Sequence, residues 1–280
     1  MSSSGQPSVG ITRNDLDLEM DLFLEAIYRK FHCDFRSYSG ASMKRRLADA
    51  MLYFKCATLS GLQERVLHDE AVFPRLMRFL TVQVSDLFRD AEFFRAMRRD
   101  IVPVLRTYPS LRIWVAGSST GEEAYSYAIL LQEEGLLDKA ILYATDINTD
   151  SLRAGEAGVY SADRFEAFAE NHKASGARVP LAEHCTAAYG SVVFNRSLRR
   201  KIVFSDHSLA TDGGFGEMQL ISCRNVLIYF DRVLQSRAVG LFKDSLCRRG
   251  FLGLGARETL RFTDHAQHFS EVAEHWYRRC

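Results

Sequence analysis

The chain holds six cysteines in 280 residues, Cys33, Cys56, Cys185, Cys223, Cys247 and Cys280, and none is paired as CxxC. No cysteine–histidine group has zinc-ligand spacing, so the sequence predicts neither a disulfide framework nor a structural metal. Cys33 and Cys223 sit beside apolar runs, where a reduced thiol acts as a small hydrophobe. No apolar run approaches the ~20 residues of a membrane span. The opening MSSSGQPSVG lacks the charged-then-apolar pattern of a secretory signal. These absences predict a cytoplasmic protein with no direct membrane insertion, preceded by a disordered lead over residues 1–15. Net charge is only +1, which argues against nucleic acid as partner. Repeats and low-complexity tracts are also missing.

What is present is core-forming material: 47% of residues are hydrophobic and 25% charged, as in a globular chain. Residues 16–80 read as a small helical domain. Leu18, Leu22, Ala26 and Ile27 recur at helical spacing, as do Met43, Leu47, Ala50 and Met51, and Leu62, Val66 and Leu67. Residues 81–110 read as a linking segment and a helix. From 111 to 280 strands alternate with helices: strands at 111–117, 140–146, 201–206, 218–223 and 251–256, helices at 122–134 and 231–248, and a short helix beginning in SLRAGEAG. Such alternation predicts a parallel, doubly wound sheet, interrupted at about 160–200 by a small β-subdomain.

Ligands of such sheets bind at the carboxyl ends of the strands, beside the switch in strand order. The loop VAGSSTGEEAYS sits in that position after the first strand. It lacks the glycines of GxGxxG and the lysine of GK[ST], which disfavours a pyrophosphate or triphosphate. It carries two acids instead, Glu122 and Glu123. By itself Thr120-Gly-Glu-Glu123 also reads as a capping box. The second strand ends in Asp146, placed to accept hydrogen bonds from both hydroxyls of a ribose, or else an N-cap or turn residue. A phosphate-free nucleoside with a cationic centre suits this set, and S-adenosylmethionine is such a molecule.

The sequence resembles the CheR-type chemotaxis-receptor glutamate methyltransferases over nearly its whole length. Three stretches carry the resemblance: RIWVAGSSTGEEAYS, TVQVSDLFRD (81–90) and ISCRNVLIYFD (221–231), the last being the most specific. It implies an α/β fold, with a Rossmann-like S-adenosylmethionine-dependent methyltransferase domain, an all-α N-terminal domain and an inserted β-subdomain. It also implies S-adenosylmethionine as cofactor, S-adenosylhomocysteine as product, and as partner a chemoreceptor or other signalling protein carrying methyl-accepting glutamates. The residue roles it implies are cofactor contacts from Gln83, Ser85, Arg89, Gly117, Glu123, Asp146, Ser208, Leu209, Arg224 and Asn225. Arg89 and Tyr229 would face the reacting groups, and Lys44, Arg45 and Arg46 would dock the substrate protein.

Several positions depart from the family pattern. Gln83 and Ser85 replace asparagine and threonine, and Ser208 replaces asparagine. Ser118 and Ala124 replace a Cys or Ala and a Pro, and Ala256-Arg257-Glu258 replaces His-Ser-Glu. Asp49 and Ala50 fall where relatives carry further arginines, which leaves room for a different receptor or signalling partner.

The implied reaction needs no general base, because a glutamate carboxylate with a reference pKa near 4.3 is already ionised at neutral pH. Alignment and desolvation are what it requires. A planar, permanently charged guanidinium can hold one carboxylate oxygen while the other attacks, and Arg89 is the candidate. Each residue has a plainer reading. Arg89 could pair with Asp86 or Asp90, Tyr229 could be a core tyrosine, and Arg224-Asn225 could be a turn. His207 reads as structural, and the LRRK run at 198–201 as a solvated face or an acidic-peptide contact. A methyltransferase of another acceptor and a catalytically weak adaptor remain the alternative functions.

Overall fold

The computed structural model describes residues 13–280. The chain divides into two compact units, one ending at Leu80 and the other spanning Thr81–Cys280. The expected disordered lead lies outside the described residues except at its end, where Arg13 already opens a helix.

The first unit consists of α1 (Arg13–Phe31), α2 (Gly40–Phe54), α3 (Leu59–His68) and α4 (Val72–Leu80). The stripe expected on α1 is corrected in part by the structure, which buries its Ile27 but not its leucines. Met20, Phe23, Leu24 and Ile27, themselves spaced i, i+3, i+4 and i+7, are the buried set. Leu18 and Leu22 lie on a rotated face and stay 60% and 56% exposed. On α2, Met43, Leu47 and Ala50 are buried, and on α3, Leu62 and Val66, as their spacing requires. Thr58 caps α3 by accepting from the amide of Gly61 at 3.0 Å.

The second unit opens with a non-helical segment over residues 81–90, then α5 (Ala91–Ala96), a π-helical stretch over Met97–Ile101 and α6 (Val102–Leu105). Pro103 lies in the first turn of α6, where a missing N–H does least harm. The sheet follows: β1 (Leu111–Ala116), α7 (Glu122–Glu133), β2 (Ala140–Asp146) and α8 (Thr149–Ala157). The insertion contributes β3 (Val159–Ser161), α9 (Phe165–Ala174), β4 (Cys185–Ala188), β5 (Ser191–Phe194) and α10 (Arg196–Arg199). The chain then returns through β6 (Ile202–Asp206), β7 (Met218–Cys223), α11 (Arg232–Ser245), β8 (Leu246–Leu254), β9 (Phe269–Ala273) and β10 (Trp276–Arg279).

Strand order in the large sheet is β6-β2-β1-β7-β8-β10-β9. The sequence runs outward from β1 in one direction and resumes at β7 in the other, so the switch point lies between β1 and β7. The pairs from β6 to β8 are parallel. The expectation of a wholly parallel sheet is corrected at one edge, where β10 pairs antiparallel with both β8 and β9. The last helix and the fifth strand are also corrected. α11 ends at Ser245 rather than 248, and β8 starts at Leu246 rather than 251. A register shift against β7 and a left-handed Arg249 (φ 65°) hide that strand's beginning in the sequence. Sheet and helices interleave as alternation demands. Ile113 and Val115 enter a core with α7 residues such as Ala128 and Leu131, while Trp114 on the opposite face meets Phe242 of α11. The insertion forms its own three-stranded sheet, β3-β5-β4, with α9 between its first two strands.

Candidate active site

The carboxyl ends of β1, β2 and β7 bring together three sequence stretches that were read separately. After β1 the chain turns sharply. Gly117 has φ +72°, and a Cβ there would lie 2.4 Å from a Val226 methyl, so only glycine fits. The amides of Gly117 and Ser118 both donate to Thr145 O at 2.8 Å, which fastens the β1 loop to the end of β2. The hydroxyls of Ser118 and Ser119 are buried and have no hydrogen-bond partner among the described residues. Buried polar groups are normally satisfied, so these two hydroxyls have hydrogen-bonding capacity left over at the carboxyl edge of the sheet.

Asp146 ends β2. Its Oδ2 accepts from the amide of Ser119 at 2.8 Å and its Oδ1 from that of Asn148 at 2.9 Å. Burial pushes this carboxyl above its ordinary value, against the pull of the amides of Asn148, Ser119 and Ile147. The N-cap reading passes to Asn148, whose side chain accepts from Asp150 and Ser151 at the start of α8.

The two loop acids do not behave as expected. There is no capping box: Gly121 is the N-cap residue of α7, without a side-chain cap. Glu122 is fully buried and accepts from Thr120 Oγ1 at 2.6 Å and from Arg164 Nη1 at 2.7 Å. Glu123 accepts from Ser222 Oγ at 2.6 Å and from Arg224 Nη1 at 3.3 Å, with 14% of its side chain exposed. The notion that both acids stand free to meet a cationic ligand is therefore corrected. Each is held first by the protein.

Arg224, at the end of β7, has 1% of its side chain exposed. It donates to Glu123, to Arg89 O at 2.7 Å and to Asp90 Oδ2 at 2.9 Å, and stacks 4.1 Å from the Phe93 ring centre. It ties the first turn of α7 and the Arg89–Asp90 turn to the end of β7, and it is not a surface arginine. Asn225 follows with φ 60°, and its amide is held by Glu258 Oε2 at 2.9 Å. Glu258 also accepts from Val226, Ile228 and Gly255, and so fixes the whole 225–228 turn. Sequence reading recorded Glu258 only as part of a departure. A buried carboxylate serving four amides is invisible without the fold.

The segment 81–90 is shaped by strain. Phe88 and Asp90 have φ of 50° and 58°, unusual values for a bulky residue and an acid. Phe88 is nevertheless fixed, fully buried, with its amide donating to Ser126 Oγ at 2.7 Å. This turn presents Arg89, partly exposed, and the plainer reading of Arg89 does not hold. Asp86 is taken by Arg164 at 2.8 Å and Asp90 by Arg224 at 2.9 Å. The Arg89 guanidinium forms no ion pair among the described residues. Gln83 is exposed and Ser85 partly so, with Ser85 O accepting from Arg164. Tyr229 lies on a 3₁₀ turn over Leu227–Tyr229 and is partly exposed, not a buried core tyrosine. Leu209 is buried and Ser208 partly exposed, on a loop braced by Asp212, which accepts from the Ser208 amide at 2.9 Å.

The proposed docking residues of the first unit are corrected in part. Arg46 is 6% exposed and donates to Leu80 O at 2.6 Å, so it serves that unit's own packing. Lys44 pairs with Asp17, and Arg45 is the exposed member of the three.

One grouping escaped sequence reading because its members are far apart in the chain. Glu133, His172 and His184 bring ligand-type atoms within 4.8 Å of one another. The Oε1 of Glu133 lies 2.9 Å from His172 Nε2 and 3.2 Å from His184 Nε2, while Arg98 donates to its Oε2 at 2.5 Å. Through these bonds the Glu133 carboxylate ties α7 to the insertion and to Arg98.

Comparison with known proteins agrees with the geometry. The family described as "CheR methyltransferase, SAM binding domain" matches residues 83–278, and "CheR methyltransferase, all-alpha domain" matches residues 18–81. A Pseudomonas putida protein bearing the methyltransferase name Cher3 is 52% identical over 263 residues, 94% of this chain and 96% of its own length. The chemotaxis protein methyltransferase of Listeria innocua is 29% identical, covering 87% and 92%. Chemotaxis protein methyltransferase 2 of Pseudomonas aeruginosa is 31% identical over 66% of each chain. The chain belongs to the CheR methyltransferase family, an S-adenosylmethionine-dependent methyltransferase with an all-α domain ahead of its Rossmann-like cofactor-binding domain.

Proposed function

We propose that this protein methylates glutamate side chains of a chemoreceptor or related cytoplasmic signalling protein, forming glutamyl methyl esters. The observation that carries this reading is Arg89: an arginine on a strained, buttressed turn, with both neighbouring acids already paired elsewhere. The chemotaxis names of the relatives support the same substrate class.

S-adenosylmethionine, when bound, supplies an electrophilic methyl group on a sulfonium. The residues at the carboxyl edge fit it. Asp146 offers its remaining lone pairs to a ribose, the unpartnered hydroxyls of Ser118 and Ser119 await a polar group, and the Gly117 turn lets backbone come close. Gln83, Ser85, Ser208, Leu209 and Asn225 are the further candidates for cofactor contact. Glu123 keeps a position in the first turn of α7, with Arg224 behind it. The glutamate to be methylated arrives ionised, so Arg89 has an alignment task. It holds one oxygen and leaves the other to attack in line, and that placement is the advantage an enzyme adds to such a displacement. Tyr229, partly exposed on its 3₁₀ turn, is the further candidate for facing the reacting groups. Arg45 is the remaining candidate of the first unit for meeting the acidic partner.

The test is incubation of the protein with receptor fragments and isotopically labelled S-adenosylmethionine, followed by peptide mass spectrometry. Base-labile methyl groups on glutamate are expected. Label confined to another residue type, or to a small-molecule acceptor, contradicts the substrate assignment.

A further inference from the structure

Glu122 has no part in the proposed chemistry, yet it is fully buried in the first turn of the cofactor loop helix. Its partner is Arg164, which belongs to the inserted subdomain, directly after β3. One guanidinium reaches three acceptors on two different walls of the site. Nη1 donates to Glu122 Oε1 at 2.7 Å, and Nη2 donates to Asp86 Oδ1 at 2.8 Å and to Ser85 O at 2.5 Å. Its flat face lies 4.6 Å from the ring centre of Phe168, which restricts its rotation.

Two neighbours repeat the pattern. Tyr160 donates its hydroxyl to Thr120 O at 2.7 Å, within the β1 loop. Asn171 of α9 donates to Leu87 O at 3.1 Å, within the segment that carries Arg89. Thr120 Oγ1 in turn donates to Glu122 Oε2, so the loop, the acid and the insertion form one connected network. A planar fork can bridge two backbone segments at fixed separation, and a lysine ammonium cannot do so with the same geometry.

We propose that Arg164 is a positioning residue for the methyltransferase site, and that the inserted subdomain acts through it as a clamp. It sets the distance between the β1 loop, which meets the cofactor, and the 83–89 segment, which meets both cofactor and substrate. Glu122 is the anchor of that clamp, which accounts for the first of the two loop glutamates. The assignment rests on the cofactor site alone and stands whatever acceptor is methylated.

S-adenosylhomocysteine titration by calorimetry tests the proposal on the full chain. Arg164→Ala should weaken binding by about tenfold, the scale of one hydrogen bond to a charged group. Arg164→Lys should recover part of that loss. Asp86→Asn, at a half-exposed partner, should weaken binding less, and the Arg164→Ala/Asp86→Asn double variant should be no weaker than Arg164→Ala alone. Hydrogen exchange at residues 83–89 should quicken in each variant. Wild-type affinity in both Arg164→Lys and Asp86→Asn overturns the proposal, as do strictly additive losses in the double variant. If Arg164→Ala does not fold, the lysine and Asp86 variants decide the matter by the same criteria.

Discussion

Helix α7 starts on one pair of consecutive glutamates and finishes on another, and the two pairs are compensated differently. Glu122 and Glu123 sit in the first turn, where the helix dipole favours negative charge, and each has one arginine and one hydroxyl. Glu133 and Glu134 sit at the carboxyl end, where the dipole opposes them. There Arg98, Arg106, Arg178, His172 and His184 crowd the two carboxylates. Burial works to raise the Glu133 carboxyl, but hydrogen bonds from His172, His184 and Arg98 hold it well below its ordinary value of 4.5. Both pairs fasten α7 to the insertion, through Arg164 at one end and the histidines and Arg178 at the other. The difference is in what surrounds them. Around the first pair lie left-handed Phe88, Asp90, Ser119 and Asn225, strain of the kind that concentrates at working sites. The second pair is surrounded by compensating charge and reads as structure.

That contrast can be broken. The largest effect expected is from Glu133→Ala, which removes the acceptor shared by His172 and His184 and one of the two carboxylates that Arg98 pairs with, and should cost on the order of 3 kcal/mol in urea unfolding. S-adenosylhomocysteine affinity of the folded fraction should stay near wild type. A loss under 1 kcal/mol, or a cofactor defect instead, removes the distinction between the two ends.

Asp146→Ala should show a cofactor defect where Glu133→Ala does not. Cofactor binding should weaken by about 1.5–3 kcal/mol, the range for hydrogen bonds to a charged group, and stability should fall as well, because the amides of Ser119 and Asn148 lose their acceptor. An unchanged dissociation constant refutes the ribose assignment.

The smallest effect is in pH dependence. The folded pKa of Glu133 is depressed, so its stabilisation is complete above about 4.5 and is lost as pH falls toward the folded value. The gap in melting temperature between wild type and Glu133→Gln should therefore be widest above pH 4.5 and close below it, by roughly 2–4 °C per kcal/mol lost. A gap that widens on acidification contradicts the sign.

The two ends of α7 also differ in how legible they were. The first was readable because a glycine turn, an acid-rich helix start and Asp146 all fall beside apolar strand runs. β1, β2 and β7 emerged from the sequence nearly to the residue for the same reason. The second end was not readable, because its partners come from residues 98, 106, 172, 178 and 184, brought together only by the fold. β9 escaped for a related reason. Its residues are mostly exposed along an edge, so no alternation of apolar and polar marks it. On α1 the expected stripe holds at Ile27 and fails at Leu18 and Leu22, since two helical stripes overlap and only packing chooses between them. Arg46 looked like a surface charge beside Lys44 and Arg45, yet its reach to the Leu80 carbonyl is a tertiary contact.

Arg89 separates the account from its plainest rival most directly. Single-turnover methylation of a receptor fragment by Arg89→Ala and Arg89→Lys, beside a cofactor titration, reads alignment apart from binding. If Arg89 holds the incoming carboxylate, Arg89→Ala keeps most of its cofactor affinity and is almost inactive, and Arg89→Lys recovers only part of the rate, because it has charge without the fork. Methylation by Arg89→Ala at the wild-type rate contradicts the assignment and leaves Arg89 a surface residue.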